Sequence, residues 1–156
     1  GYVEYSAAIG LTNSFYISQN LNYDFNFGDV IDKDFTDREN VLNQFTEFTF
    51  QLHENDVHHF DHSKGNTLMC QTSTGQYDFY LIDLNRMKFE EMSYDKRIDN
   101  FNRLSLTDDM IEIVGKKYAS LIGHNEAQVI DDIRKSCEKF KEFARRKGRW
   151  KKRVGL

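Results

Sequence analysis

Proline is absent from all 156 residues, where ordinary usage of about 5% would supply roughly eight. Chain reversals must therefore come from glycine, asparagine and aspartate. Only two cysteines occur, Cys70 and Cys137, which excludes a disulfide framework. They fit a reducing, cytoplasmic setting in which both act as buried apolar fillers. No apolar run approaches the ~18 residues a membrane-spanning helix needs, and no secretory leader opens the chain. No internal repeat is visible. The chain starts at Gly1-Tyr2 without methionine and runs at once into strand-like sequence, so it reads as a fragment of a longer protein.

What is present suits one globular domain. At this length a real core can form but two full domains cannot. A hydrophobic content of 39% with 14% aromatics separates the chain from disordered sequences. Charge is distributed unevenly. The segment ARRKGRWKKRV carries seven basic residues (Arg145, Arg146, Lys147, Arg149, Lys151, Lys152, Arg153) and no acid, and setting them aside from the net −4 leaves −11 on the rest. An acidic body with a basic tail argues against nucleic acid and for one local anionic contact.

Hydropathy patterns outline the elements. Residues 2–5 and 14–18 alternate as strands, and the polar SQNLNYDFNFGD after them reads as a connector. Thr36 and Glu39 form a capping box with Asp37 in the first turn. Val41, Leu42, Phe45, Phe48, Thr49 and Leu52 then recur at helical spacing over residues 37–53. TLMCQ and QYDFYLIDL read as strands around the turn TSTG. The run Phe79, Tyr80, Leu81, Ile82 predicts burial on both faces and ends at Asp83. From about residue 93 the pattern is helical, with Ser93 and Thr107 as N-caps, a stripe of Met110, Ile111, Val114 and Tyr118, and a charged helix over 125–147. Strands first and helices after predict an α+β fold.

Between helix and hairpin lies HHFDHSKGN, residues 58–66. Phosphoryl transfer needs a carboxylate to orient the acceptor hydroxyl, and oxygen ligands to hold magnesium against the phosphates. In the protein-kinase arrangement a histidine-x-aspartate opens the catalytic loop, an asparagine follows the aspartate by five residues, and a second aspartate ends the next hairpin. His59, Asp61, Asn66 and Asp83 occur in that order and spacing.

The wording goes further. HHFDHSKGNTL, FYLIDLNRMKF and the upstream SFYIS, YDF and LHEND resemble the lipopolysaccharide kinases, which phosphorylate Kdo or heptose of the lipopolysaccharide core, over roughly residues 2–145. The resemblance implies a protein-kinase-like fold, with the end of the N-lobe and hinge in residues 1–20 and the C-lobe in 21–156. It implies Asp61 as catalytic base, Asn66 and Asp83 as magnesium ligands, and Ser18, Gln19, Asn20 and Leu21 as the hinge holding adenine, with ATP and Mg2+ as cofactors. Lys64 stands where that family usually has proline. The family's glycine-rich loop, its ATP-anchoring lysine and the partner glutamate would precede Gly1, so this stretch alone is expected to be inactive and activity to belong to a longer parent chain.

Other readings stay open. His53, His58, His59 and His62 could serve zinc, with Asp61 as a further ligand, but Gly65-Asn66 argues for a loop rather than the helix that would align His58 with His62. The alternative is that His59 buries its ring under the loop while His58 and His62 are solvated or near the acceptor. Lys64 meets a phosphate or water, and Arg86 and Lys88 meet anionic substrate or water. The basic tail complements its helix dipole or docks on an anionic membrane with Trp150 at the interface, each basic residue contributing at most ~1 kcal/mol. Such docking would place the protein peripherally on the inner face of the cytoplasmic membrane. The rival functions are a non-catalytic nucleotide- or lipid-binding module and a small-molecule kinase of aminoglycoside type.

Overall fold

Alternating aromatic and β-branched residues at the N-terminus produce a hairpin, β1 (Tyr2–Ser6) antiparallel to β2 (Gly10–Phe15), with an irregularity between Glu4 and Tyr5. The structure, a computed structural model, describes the backbone of residues 2–6, 10–15, 20–32 and 34–153, and side chains of 20–32 and 34–150. The second strand starts earlier than the predicted 14–18. The end of that segment, together with Ser18 and Gln19 of the expected hinge, lies outside the described residues. Asn20 is exposed and donates from Nδ2 to Asn22 Oδ1 (3.3 Å), and Leu21 is half-buried.

The stretch expected to be a bare connector is structured. Phe25–Asn26 forms β3, and Phe27–Asp32 forms the one-and-a-half-turn helix α1, which buries Phe27, Val30 and Ile31. Phe27, Val30 and Ile31, dispersed among polar residues, show no helical period over so short a span, yet each is buried, with Phe25 packed against them.

Helix α2 (Arg38–Glu54) buries Val41, Leu42, Phe45, Thr46, Thr49 and His53. Its N-cap is Asp37 rather than Thr36, and no side chain caps it. The Asp37 carboxylate instead accepts from Asn40 Nδ2 (2.8 Å) and from the Tyr77 hydroxyl (3.2 Å), and the expected capping box of Thr36 and Glu39 does not form.

After α2 come β4 (Val57–His59), β5 (Thr67–Ser73), β6 (Gln76–Leu81), a 3-10 turn at Leu84–Arg86 and β7 (Met87–Phe89). Strand β5 lies between β3 and β6, all antiparallel, and β4 pairs with β7. One face of the larger sheet packs on α2, where Phe79 stacks on Phe48. The other face is open: Tyr80 and Ile82 are each 40% exposed. Burial on both sides, expected from the unbroken apolar run, is therefore corrected. Only one side of this sheet meets a helix layer.

Helices α3 (Tyr94–Asp99), α4 (Asp108–Ile122) and α5 (Glu126–Arg153) complete the core, with Ser93 and Thr107 at the N-cap positions of the first two. Met110, Ile111, Val114 and Tyr118 are all buried as their spacing predicts. Helices α4 and α5 approach closely at Gly115, where an added Cβ would lie 2.6 Å from Ile130 Cγ1 and 3.1 Å from its Cα. Helix α4 stops at Gly123, whose φ of 66° suits glycine, and the next amide, of His124, reaches back to Ala119. Helix α5 is divided. Val129, Ile130, Ile133 and Cys137 are buried, and burial pushes the Cys137 thiol up to about 11, while every residue of 141–150 is exposed. Among the described residues no helix is long and apolar enough to cross a membrane. The fold is α+β, mainly helical with small antiparallel sheets.

Candidate active site

The loop after β4 is held at both ends by the segment after β6. Phe60 N–H donates to the Arg86 carbonyl (2.9 Å), and Ile82 N–H donates to the Asn66 carbonyl (3.0 Å). These two ties bring Asp61, Asn66 and Asp83 to one end of the hairpin. Within the loop the Asp61 carbonyl accepts from Ser63 N–H and from Asn66 Nδ2, both at 2.8 Å. Because the Asn66 amide nitrogen is committed to the backbone, its oxygen is the atom left to meet a ligand.

A buried polar relay supports the loop from below. Tyr118 on α4 donates to His53 Nδ1 (2.7 Å), and His53 Nε2 donates to Asn100 Oδ1 (3.2 Å). Asn100 Nδ2 then donates to the His59 carbonyl (2.9 Å). His59 continues the chain: its Nδ1 accepts from Asp61 N–H (3.2 Å) and its Nε2 donates to the Ile82 carbonyl (3.0 Å). Every link is satisfied by neutral rings of one tautomer. Burial lowers His53 to about 4 and raises Tyr118 to about 12, so neither carries charge at neutral pH.

The upper rim is charged. Arg103 Nη1 contacts Asp61 Oδ1 at 3.1 Å. Arg86 lies between the two carboxylates, with Nη1 3.9 Å from Asp61 Oδ2 and Nε 3.7 Å from Asp83 Oδ2. One guanidinium thus measures the separation of the two acids. Asp83 has φ 58° and ψ 47°, the left-handed region that a non-glycine residue enters at a cost. The strain turns the carboxylate at the end of β6 back toward the loop.

Several expectations for neighbouring residues are corrected. Lys64 pairs with Asp32 of α1 at the solvent-exposed surface. His62 is not solvated but 1% exposed, and His58 is half-buried and hydrogen-bonded to Glu90 Oε1 (2.7 Å). Arg86 and Lys88 are exposed, as the solvated reading has them, with Arg86 near both acids and Lys88 5.1 Å over the Phe60 ring. His59, expected under the loop, is there. Among the described residues no group of three or more histidines, cysteines and carboxylates is placed to hold a metal, so the histidines do not assemble into a zinc centre.

Two side chains of the candidate site had no signal in the sequence. Asn100 and Arg103 stand 41 and 42 residues from their partners His59 and Asp61, in a helix-end segment whose local pattern resembles any polar turn. Only the folded chain brings them in.

The oxygen-rich pair Asn66 and Asp83 suits a hard cation such as magnesium, provided Arg86 moves off Asp83. Asp61, oriented by its backbone bond to His59 and by Arg103, suits the positioning of a hydroxyl. No protein-family model matches the chain, and no curated protein matches it.

Proposed function

We propose that the chain is the acceptor- and magnesium-binding part of an ATP-dependent phosphotransferase that transfers the γ-phosphate to a sugar hydroxyl. The acceptor follows from the resemblance to lipopolysaccharide kinases, which favours heptose or Kdo of the inner core. Asp61 would orient the hydroxyl and take its proton. Asn66 Oδ1 and the Asp83 carboxylate would hold magnesium against the phosphates, where the ion neutralises charge on the transferring group. The single observation that supports this reading best is the Arg86 bridge, which puts Asp61 and Asp83 one guanidinium apart with the Asn66 amide oriented between loop and hairpin.

Pairing with Arg103 keeps the Asp61 carboxylate well oriented. That suits phosphoryl transfer, whose loose transition state asks mostly for positioning and electrostatic stabilisation. The exposed half of α5 supports a second part of the proposal. Arg145, Arg146, Lys147, Arg149, Phe143 and Trp150 are all solvent-facing, and Phe143 and Trp150, seven residues apart, share a face. The side chains of Lys151, Lys152 and Arg153 lie outside the described residues. This half would dock on the anionic inner face of the cytoplasmic membrane, which carries the lipid acceptor.

The test is transfer of labelled γ-phosphate from ATP into a membrane-lipid extract by the whole phosphotransferase of which the chain would be part, with Asp61→Asn in parallel. Label in lipid that vanishes in the variant is the expected outcome. Magnesium-dependent ATP binding with no label in lipid, but label in a soluble aminoglycoside, would move the reading to a small-molecule kinase. ATP binding with no transfer to any acceptor would favour a non-catalytic module.

A further inference from the structure

Two cations stand on the carboxylate rim, and they are held differently. Arg103 places Nη1 3.1 Å from Asp61 Oδ1, and its guanidinium lies 4.9 Å over the ring of Phe140 on α5. Arg86 comes no nearer than 3.9 Å to Asp61 Oδ2 and 3.7 Å to Asp83 Oδ2, both longer than a hydrogen bond. Its side chain is 56% exposed. Its backbone, in contrast, is fixed at both polar groups. The N–H donates to the Asp83 carbonyl (3.2 Å), and the carbonyl accepts from Phe60 N–H (2.9 Å). Arg86 is a charged head on an anchored root, and loose ion pairs near water exchange partners easily.

The oxygens that Arg86 faces are ones a phosphoryl transfer would use. Arg103 keeps Oδ1 of Asp61, so Oδ2 is the oxygen left to accept an acceptor hydroxyl, and Arg86 stands over it. Arg86 also faces the Asp83 carboxylate, which together with Asn66 Oδ1 suits magnesium. Without metal, one positive head between two carboxylates relieves their mutual repulsion. With magnesium on Asp83, like charge repels the guanidinium, and Arg86 needs another anion. The terminal phosphate of a bound nucleotide is the anion such a site supplies. A planar guanidinium donates two parallel N–H bonds to phosphate oxygens, stays charged throughout and moves no proton.

We propose that Arg86 exchanges partners: in the metal-free site it is the counter-ion of Asp61 and Asp83, and with magnesium on Asp83 it turns to the terminal phosphate of a nucleoside triphosphate. The inference rests on the phosphotransferase reading and deepens it. One swing of this side chain opens Asp83 to metal, frees Asp61 Oδ2 for the acceptor hydroxyl and adds a donor fork for the γ-phosphate. A diphosphate lacks that group, so Arg86 makes the site prefer the triphosphate.

The test compares wild type, Arg86→Gln and Arg86→Lys in the whole phosphotransferase of which the chain would be part. Binding of Mn2+ alone is read by electron paramagnetic resonance, and binding of magnesium-ATP and magnesium-ADP by calorimetry. Arg86→Gln is expected to bind Mn2+ about threefold more tightly, because the competing cation is gone. Its preference for magnesium-ATP over magnesium-ADP is expected to fall roughly tenfold or more, the loss of a charge-assisted contact with phosphate. Arg86→Lys, with the charge but not the fork, should keep wild-type Mn2+ affinity and recover part of the preference. Mn2+ affinity that is unchanged, weaker or undetectable in Arg86→Gln overturns the proposal. So does tighter Mn2+ binding with the ATP preference intact, which would make Arg86 a plug that simply leaves. Tighter Mn2+ binding with the preference lost, in a protein that transfers phosphate to no acceptor, upholds the exchange and removes the phosphotransferase reading instead.

Discussion

The loop 57–66 has two sides built on opposite principles. Beneath it, Tyr118, His53, Asn100 and His59 are buried, neutral and hydrogen-bonded in series. Above it, Asp61, Asp83, Arg86 and Arg103 are partly exposed, charged and held at longer distances, from 3.1 to 3.9 Å. In a low-dielectric interior an unmet polar group is costly, so the lower side must be complete and therefore rigid. Near water, ion pairs contribute little to stability and exchange partners easily. The contrast separates holding a loop in place from using it.

That contrast can be broken most decisively at Asp61. Asp61→Asn should reduce phosphate transfer about 10²–10⁴-fold, the usual contribution of a positioned base. Its unfolding free energy should change by no more than about 1 kcal/mol, because its ion pairs are partly exposed. A large loss of stability in urea titration would mean that the upper side is structural too.

Asn100→Leu is the converse. It strands the His59 carbonyl and the His53 Nε2–H in the interior and should cost roughly 2–5 kcal/mol of stability, read from the denaturation midpoint. A loss within about 0.5 kcal/mol would show that the relay is not what holds the loop.

Acid should attack the lower side first. His53 and His62 have folded pKa values of about 4 and about 3, below the ordinary 6.5. Above pH 6.5 both states are neutral and stability is flat. As pH falls below 6.5 the unfolded chain takes up protons that the folded chain refuses, so stability declines by up to about 1.4 kcal/mol per pH unit for each histidine. The decline ends near the folded values. Thermal unfolding followed from pH 7 to 4 checks this, and His53→Gln or His62→Phe should each flatten the slope.

The smallest effect concerns the strained Asp83. Asp83→Gly should be more stable than Asp83→Ala by about 1 kcal/mol, since only glycine enters the left-handed region freely. Both should lose magnesium-dependent nucleotide binding. Equal stability of the two variants would remove the strain argument.

Legibility in the sequence followed the range of the interactions. Helix α2, the hairpin β5–β6, helix α4 and the N-terminal half of α5 were predictable because periodicity of 3.6 or 2 is written in neighbouring residues. The short helix α1 was not, since six residues are too few to show a period. The capping box at Thr36 is absent because the helix starts one residue later, with Asp37 at the N-cap position and its carboxylate held by Asn40 and by Tyr77, forty residues away. In the candidate site, Asp61, Asn66 and Asp83 stood out by spacing, and His59 by its place before Asp61. Arg103, Asn100 and the fate of Lys64 and His62 depended on partners distant in sequence.

By itself, the sequence determined that turns cannot use proline, which of the longer segments are helical or extended, and that an aspartate, an asparagine and a second aspartate occur in a fixed order. Those are local matters of backbone preference and hydrophobic spacing. Only the tertiary structure decided that Arg86 spans Asp61 and Asp83, that Tyr118, His53, Asn100 and His59, from four separate parts of the chain, form a neutral relay under the loop, and that His62 is buried. Side chains remote along the chain become partners through core packing and burial, which no local pattern encodes.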